Sequence, residues 1–165
     1  MAEIYPDVFS YFSSGDVFRA LTSSSNAIGN YLKHRIESGL LIDDRVTNAL
    51  FELYMHSVID DQKAMLLDGY PRTVTQLEMM LEVCKEYKRE MVAVYFELDE
   101  KTAIERMKSR GRNDDTDETI AKRIKQYYDS TVPMLEVRAK TYPVIRINAN
   151  KSIEEIHEEV KKSIQ

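Results

Sequence analysis

The sequence predicts an α/β fold, in which helices flank a parallel β-sheet on both faces. Two observations lead to this class. First, four short apolar runs have the composition of buried strands: Val8–Ser13, Met65–Leu67, Val92–Leu98 and Val144–Ile147. Second, stretches with a helical spacing of apolar residues separate these runs. Nearly continuous apolar strands that alternate with helices are typical of parallel sheets covered on both sides.

The helices of the first half are predicted from their end signals. Helical sequence follows the first strand to about Ser38, where Gly39 supplies a C-terminal stop. Asp43 or Asp44 can cap the next helix. The predicted apolar stripe of that helix comprises Val46, Leu50, Leu53 and Tyr54, spaced by three or four residues.

The later helices are also marked by their ends. Three begin at capping residues, namely Thr73 with Gln76, Asp99, and Ser152 with Glu155. The buried stripe that follows Thr73 comprises Leu77, Met80, Leu81 and Cys84. A long helix is predicted from about Glu118 to near Pro133, followed by a segment that precedes Tyr142 and Pro143.

The length and composition are those of one globular domain. The 165 residues are 43% hydrophobic and 31% charged, a profile that excludes a fibrous or disordered chain. No apolar run approaches the roughly 20 residues that a membrane span requires, and the N-terminus has no basic segment followed by an apolar core. Cys84 is the single cysteine, so no internal disulfide can form. We therefore predict a cytoplasmic protein without a membrane partner.

The charge distribution favours a small anionic ligand. The net charge is −5, which disfavours nucleic acid because phosphate backbones select basic surfaces. Residues 106–112 nevertheless read RMKSRGR, with four cations in seven positions. A compact cationic segment in an acidic chain suits a small anion better than a polymer.

Polar clusters follow three of the predicted strands. They are Ser14-Gly15-Asp16, Asp68–Arg72 and Asn148–Lys151. In parallel sheets, ligands bind beyond the carboxyl ends of the strands. We therefore expect these clusters to belong to a ligand site.

The cluster Asp68–Arg72 carries the most specific chemistry. The Asp68 carboxylate can order water around a magnesium ion, and Gly69 lets the backbone approach a ligand closely. Pro71 stiffens the turn, and the planar guanidinium of Arg72 suits phosphate. The alternative is an ordinary turn between a strand and a helix, since Asp-Gly and Pro are common turn residues.

Four blocks of the sequence are distinctive: LDGYPRT at 67–73 with Gln76, Ser14-Gly15-Asp16 with Arg19, Gly111–Asp115 followed by Glu118-Thr119-Ile120 and Lys122-Arg123, and Asn148-Ala149-Asn150. Together they resemble the signatures of adenylate kinases and related nucleoside monophosphate kinases. Their order and spacing are those of the family, so the resemblance covers essentially the whole chain. It implies a P-loop-kinase-like sheet in a single domain over 1–165, with an acceptor-nucleotide region at about 14–43 and a short lid at about 110–115.

The resemblance also assigns roles to residues. The implied AMP-binding residues are Ser14, Gly15, Arg19, Ile36, Leu41, Ile42, Gly69, Arg72 and Gln76. The implied catalytic residues are Asp68, Arg72, Arg106, Arg112 and Arg123. The implied ATP-binding residues are Arg106, Arg110, Asn148 and Ala149. No direct metal ligand is implied, although Asp16 and Asp68 match carboxylates near the water shell of Mg²⁺.

The implied reaction is reversible phosphoryl transfer from ATP to AMP, which gives ADP and requires Mg²⁺ as cofactor. Catalysis of this kind depends on positioning and on cations that stabilise charge on the transferred group. For Arg106 and Arg110, the alternative is a solvated helix face paired with Glu105 and Asp114. The resemblance further implies a monomer whose partners are the nucleotides AMP, ATP and ADP.

One family motif does not occur in the sequence, since the 165 residues contain no GxxxxGK[ST]. In the family this loop follows a central first strand and holds the donor phosphates; residues 2–6 resemble the end of the helix after it. Without that strand, the strands matching Met65–Leu67 and Val92–Leu98 have unpaired inner edges or move together. Three explanations stay open: a kinase truncated before the motif, a catalytically impaired nucleotide-binding pseudoenzyme, or a fragment completed by another chain, which allows a dimer.

Overall fold

The computed structural model describes residues 8–58 and 63–164. Over these ranges the strands are β1 (Phe9–Ser13), β2 (Ala64–Asp68), β3 (Ala93–Glu97) and β4 (Val144–Asn148). The helices are α1 (Ser14–Leu21), α2 (Ala27–Glu37), α3 (Asp44–Val58), α4 (Val74–Glu86), α5 (Glu100–Ser109), α6 (Asp117–Gln126), α7 (Val132–Thr141) and α8 (Ile153–Ser163). A π-helical turn, Tyr127–Thr131, joins α6 to α7. Residues 2–6, predicted to end a helix, lie outside the described ranges.

The strands form two parallel pairs. β1 pairs with β2 in the register that places Ser13 opposite Asp68, and β3 pairs with β4 in the register that places Glu97 opposite Asn148. The predicted parallel direction is confirmed. Within the described residues β2 and β3 do not pair with each other, so their inner edges stay apart. The polar residues that follow β1 and β2 lie side by side at the carboxyl ends of these strands.

The main core packs β1 against α3, α4 and α7. At its centre Phe51 and Tyr70 stack with ring centroids 4.5 Å apart, and Phe12 lies edge-on to both. Burying each such ring contributes roughly 1.5–3 kcal/mol. The Tyr70 hydroxyl donates to the Gln76 carbonyl at 3.1 Å, so the core also anchors the loop between β2 and α4.

The buried stripe of α3 differs from the predicted one. Its buried residues are Thr47, Phe51 and Met55. Leu50 and Tyr54 are partly buried against the core, whereas Val46 and Leu53 are 38% and 66% exposed. Apolar residues lie on several faces of this helix, so their spacing does not select one. Packing of Phe51 in the aromatic core selects the buried face.

The predicted helix end near Pro133 is wrong. The chain passes from α6 through the π-helical turn into α7, and Pro133 lies in the first turn of α7. A proline in a regular helix interior clashes with the preceding turn and lacks an amide hydrogen. Pro133 is tolerated here because it stands in the first turn of α7, directly after the π-helical turn.

The predicted caps at Thr73, Asp99 and Ser152 are confirmed. Each side chain accepts a hydrogen bond from the amide three residues later, at 3.2, 2.9 and 3.2 Å, and such a cap contributes about 1 kcal/mol. Asp43 similarly accepts from the Arg45 amide at 3.0 Å ahead of α3. Among the described residues, no helix has the length and apolar character needed to cross a membrane.

Gly39 is expected to tolerate substitution less well than Gly111. It has a φ of +68°, and a Cβ there would lie 2.8 Å from the Thr119 carbonyl oxygen in α6. Gly111 has a φ of +70°, and a Cβ there would meet no atom within 4 Å, so Gly111→Ala carries the conformational cost alone. We expect Gly39→Ala to lower the free energy of unfolding by about 3 kcal/mol and Gly111→Ala by about 1 kcal/mol, measured by urea denaturation. Equal losses of unfolding free energy in Gly39→Ala and Gly111→Ala would contradict the close packing of Gly39 on α6.

Candidate active site

A cleft of about 470 Å³ opens beyond the carboxyl ends of β1 and β2. Its wall includes the following predicted site residues: Ser14, Gly15, Arg19, Ile36, Leu41, Ile42, Gly69, Arg72, Gln76, Arg110, Arg112 and Arg123. They come from α1, α2 and the segment after it, the β2–α4 loop, α4, the segment after α5, and α6. The structure therefore gathers all the predicted AMP-binding residues around one cavity.

The loop after β2 is fixed by hydrogen bonds to the Gly69 carbonyl. This oxygen accepts from Ser14 Oγ at 2.9 Å and from Arg72 Nε at 2.9 Å. Gly69 has a φ of +73°, and a Cβ there would lie 2.9 Å from Ser14 Oγ. The turn therefore requires glycine, and it directs the Arg72 guanidinium to the cleft.

Arginines dominate the charge of the cleft wall. They are Arg19, Arg72, Arg110, Arg112 and Arg123. Arg72 is open to the solvent in the cleft, yet its pKa is lowered, first by desolvation and then by the positive charges of Arg123, Arg19 and Arg110. Desolvation, followed by Arg110 and Arg19, likewise lowers the pKa of Arg112. Cations that destabilise one another's charge in this way create a field that a bound anion would relieve.

Two aspartates position Arg110, which follows α5, and Arg123, which lies in α6. Asp115 accepts from Arg110 Nε at 2.5 Å and from Arg110 Nη2 at 2.8 Å, and Arg123 pairs with both Asp114 and Asp115. The Asp115 side chain is 2% exposed. Its pKa is lowered, chiefly by the hydrogen bonds from Arg110. This network attaches the segment 110–115 to α6.

Another part of the cleft wall is apolar. Phe18, Leu32 and Ile42 form a buried cluster, against which Ile36 packs. Phe18, Ile36 and Ile42 line the cleft together with Leu41. An apolar wall beside a group of cations suits a ligand that has a flat ring at one end and negative charge at the other.

The Gln76 amide is held in one orientation at the cleft. Its Nε2 donates to Asp44 Oδ1 at 2.8 Å, and its Oε1 accepts from the Arg72 amide at 2.7 Å. A side-chain amide has two hydrogens and two lone pairs. Gln76 therefore keeps one donor and one acceptor position beyond these two bonds.

The predicted ATP-binding residues other than Arg110 lie outside this cleft wall. Arg106 Nη2 donates to the Lys151 carbonyl at 3.2 Å, in the segment that follows β4. That segment begins with Asn148 at the end of β4 and Ala149, whose amide donates to Glu97 O at 2.8 Å. The structure thus brings Arg106 to the segment that begins with the other predicted ATP-binding residues, Asn148 and Ala149.

The carboxylates assigned to the magnesium shell also lie outside the cleft wall. Asp16 pairs with Arg19, and Asp68 Oδ2 accepts from the Tyr11 hydroxyl at 3.2 Å. Within the described ranges no group of three or more His, Cys, Asp or Glu could hold a metal ion. Mg²⁺ usually keeps several waters and binds one or two carboxylates together with ligand phosphates. Asp16 and Asp68 are carboxylates of the kind that such an ion contacts.

The sequence reasoning missed Gln126, which lines the cleft from α6. It lies three residues after Arg123 and seven after Thr119. This is the spacing of one helix face. The spacing is therefore a usable signal once Arg123 has been assigned to the site.

The fold and the cleft together define a class of protein. Parallel strands flanked by helices, a group of arginines beyond the strand ends and an adjacent apolar wall are the features of a nucleotide-binding α/β protein.

Comparison with known proteins gives the particular family. The family model described as adenylate kinase matches residues 5–142. The chain is 33% identical to the adenylate kinase of Corynebacterium urealyticum, over 90% of this chain and 81% of that protein. It is 36% identical to the adenylate kinase of Corynebacterium diphtheriae, over 89% and 80% of the two chains, and 30% identical to that of Oenococcus oeni, over 93% and 83%. The chain belongs to the adenylate kinase family and is thus a nucleoside monophosphate kinase by descent.

Proposed function

We propose that the cleft is the acceptor half of an adenylate kinase site. The reaction of this site would transfer a phosphoryl group from ATP to AMP and give two ADP. One observation carries the proposal: in a member of this family, all the predicted AMP-binding residues surround the cavity that also holds the arginines. The apolar wall at Leu41 and Ile42 would receive the base. Arg19 and Arg72 would bind the acceptor phosphate through paired N–H groups.

Gln76 would recognise the edge of the base. Its orientation is fixed by Asp44 and by the Arg72 amide, so one N–H and one oxygen lone pair would be left for a ligand as a matched donor and acceptor. Adenine offers an acceptor beside its exocyclic amino donor, which suits an amide. We therefore propose AMP as the acceptor.

Catalysis in this proposal is electrostatic. Phosphoryl transfer spreads negative charge over the transferred group, and fixed cations stabilise that charge. Arg72, Arg112 and Arg123 would surround the group, with Arg123 held in place by Asp114 and Asp115. Mg²⁺ bound to the nucleotide phosphates would supply further positive charge, and Asp68 and Asp16 would contact it through water. Segment 110–115 would act as a short lid that excludes water.

The donor half of the site would use Arg106, Arg110 and the segment that begins with Asn148 and Ala149. These residues do not replace a phosphate-binding loop, and the sequence contains no GxxxxGK[ST]. A strand followed by such a loop could pair with the inner edges of β2 and β3, which are not joined to each other within the described residues. We propose that the loop belongs to the same polypeptide, as in a monomeric kinase. The other candidates are an AMP-binding protein without turnover and a site completed by a second chain.

Calorimetry with AMP and a coupled assay of ADP formation test the proposal. We expect the 165-residue chain to bind AMP but to form little ADP. Fusing an N-terminal strand with a GxxGxGK loop is expected to raise the rate of ADP formation at least about a hundredfold, because the loop amides and lysine bind the donor phosphates. The control is the same fusion with its loop lysine replaced by alanine.

The outcomes separate the candidates. No AMP binding by the folded chain would refute the acceptor site. AMP binding with no gain from the fusion would favour the protein without turnover. Turnover by the unfused chain as a dimer, seen in light scattering at the assay concentration, would favour completion by a second chain.

A further inference from the structure

Gln126 joins α6 to the segment that follows α2. Its Nε2 donates to the Gly39 carbonyl at 2.5 Å, and its Oε1 accepts from the Leu41 amide at 2.6 Å. One side-chain amide thus bonds to the backbone on both sides of Leu40. The Arg35 guanidinium bonds to the Leu41 carbonyl, with Nε at 2.9 Å, so both backbone polar groups of Leu41 are held.

A second contact fixes the same segment to α6. Gly39 packs so closely on Thr119 that a Cβ would come within 2.8 Å of the Thr119 carbonyl oxygen. Thr119 and Gln126 lie seven residues apart, so they share one face of the helix. The segment Gly39–Leu41 therefore rests on α6 at two points, about two turns apart.

Arg123 lies between these two points on the same helix face. It reaches Asp114 and Asp115 and lines the cleft. Leu41, which Gln126 holds, contributes to the apolar part of the wall. One rigid helix therefore fixes the distance between an arginine of the site and the apolar wall.

We propose that Gln126 is a positioning residue for the base of the acceptor nucleotide. It holds the Leu41 wall at a set distance from the arginines, so it governs affinity for the base and not for the phosphate. The inference rests on the proposed AMP site. The consequence is that Gln126 variants lose discrimination between AMP and a ligand that has the sugar phosphate alone.

Two substitutions disrupt the hydrogen bonds of Gln126 to Gly39 and Leu41 in different ways. Gln126→Glu keeps an acceptor for the Leu41 amide but places a carboxylate oxygen against the Gly39 carbonyl. Gln126→Met keeps the length and flexibility of the side chain and loses both bonds. Asn30→Asp is the matched control, because it makes the same amide-to-acid change on the exposed face of α2.

The experiment is NMR titration of the full chain with AMP and with ribose 5-phosphate. For both Gln126 variants we expect the Kd for AMP to rise about tenfold, the loss expected when a partly buried hydrogen bond is removed and its partner is left unpaired. The Kd for ribose 5-phosphate is expected to change less than about twofold. Asn30→Asp is expected to change neither Kd. If Gln126→Glu does not fold, the Gln126→Met result tests the proposal.

Each other outcome is decisive. Wild-type AMP affinity in Gln126→Met would overturn the role of Gln126 while leaving the AMP site intact. Equal weakening of AMP and ribose 5-phosphate would show a general structural effect and would also overturn it. If the wild-type chain binds neither ligand, the proposed function itself is wrong.

Discussion

Replacing Arg72 with alanine is expected to weaken AMP binding about a hundredfold, measured by calorimetry at low salt. A guanidinium that bonds a phosphate through two N–H groups contributes more than a neutral hydrogen bond, and its removal costs about 2–5 kcal/mol. The effect on stability should be small, because the Arg72 side chain is exposed and bonds to the nearby Gly69 carbonyl. The loss in affinity should therefore occur in a folded protein.

Two further variants make the Arg72 result specific. Arg72→Lys keeps the charge but loses the planar pair of donors, so an intermediate loss of about tenfold is expected. Arg45→Ala removes a cation whose side chain is 92% exposed and which is absent from the cleft wall, and it should leave AMP affinity unchanged. AMP affinity that is unchanged in Arg72→Ala would show that the phosphate binds elsewhere.

Replacing Asp115 with asparagine is expected to lower the free energy of unfolding by about 3 kcal/mol, equivalent to a fall in Tm of about 10 °C. The Asp115 side chain is 2% exposed and accepts from both Arg110 and Arg123. Asparagine keeps the shape but leaves Arg110 without its buried counterion and leaves Arg123 with Asp114 alone. AMP binding should also weaken, because both arginines line the cleft.

The matched control for Asp115→Asn is Asp117→Asn. The Asp117 carboxylate is 85% exposed and pairs with Lys108 at 2.6 Å, and exposed pairs of this kind contribute at most about 1 kcal/mol. Equal destabilisation by the two variants, measured by urea denaturation at about pH 7, would contradict the structural importance of the buried network.

The pH dependence of stability gives a second measurement of the same network. The hydrogen bonds from Arg110 lower the pKa of Asp115 below its value in the unfolded chain, which is about 3.9. The unfolded state therefore binds the proton more readily. The contribution of Asp115 is complete above about pH 4 and is lost as the pH falls through the folded-state pKa. The stability gap between wild type and Asp115→Asn should be constant near neutral pH and narrow below about pH 4.

The features that the sequence predicts correctly depend on neighbouring residues. Thr73 and Ser152 are predictable as helix caps because capping requires a polar side chain three residues before an amide, and both caps are present. Gly39 is predictable as a helix stop because few other residues adopt a positive φ, and its φ is +68°. The strand expected at Met65–Leu67 extends one residue further at each end, to Ala64–Asp68.

The features that the sequence does not predict depend on contacts between distant segments. Packing of Phe51 on Tyr70 decides the buried face of α3, whereas the helical spacing fits more than one face. The role of Gln126 arises from bonds to residues 85 and 87 positions away. The family signatures supply the members of the site, while the structure supplies the partners that hold them.

The sequence by itself determined the alternation of strands and helices, the caps at Thr73, Asp99 and Ser152, and the family to which the chain belongs. Local backbone preferences and the order of the family motifs along the chain are sufficient to predict these features. The tertiary structure decided that Asp115 is the buried counterion of Arg110 and Arg123. It also decided that α6 supports both the arginines and the apolar wall. The physical reason is that ion pairs and packing depend on distance in space, which spacing along a chain does not specify.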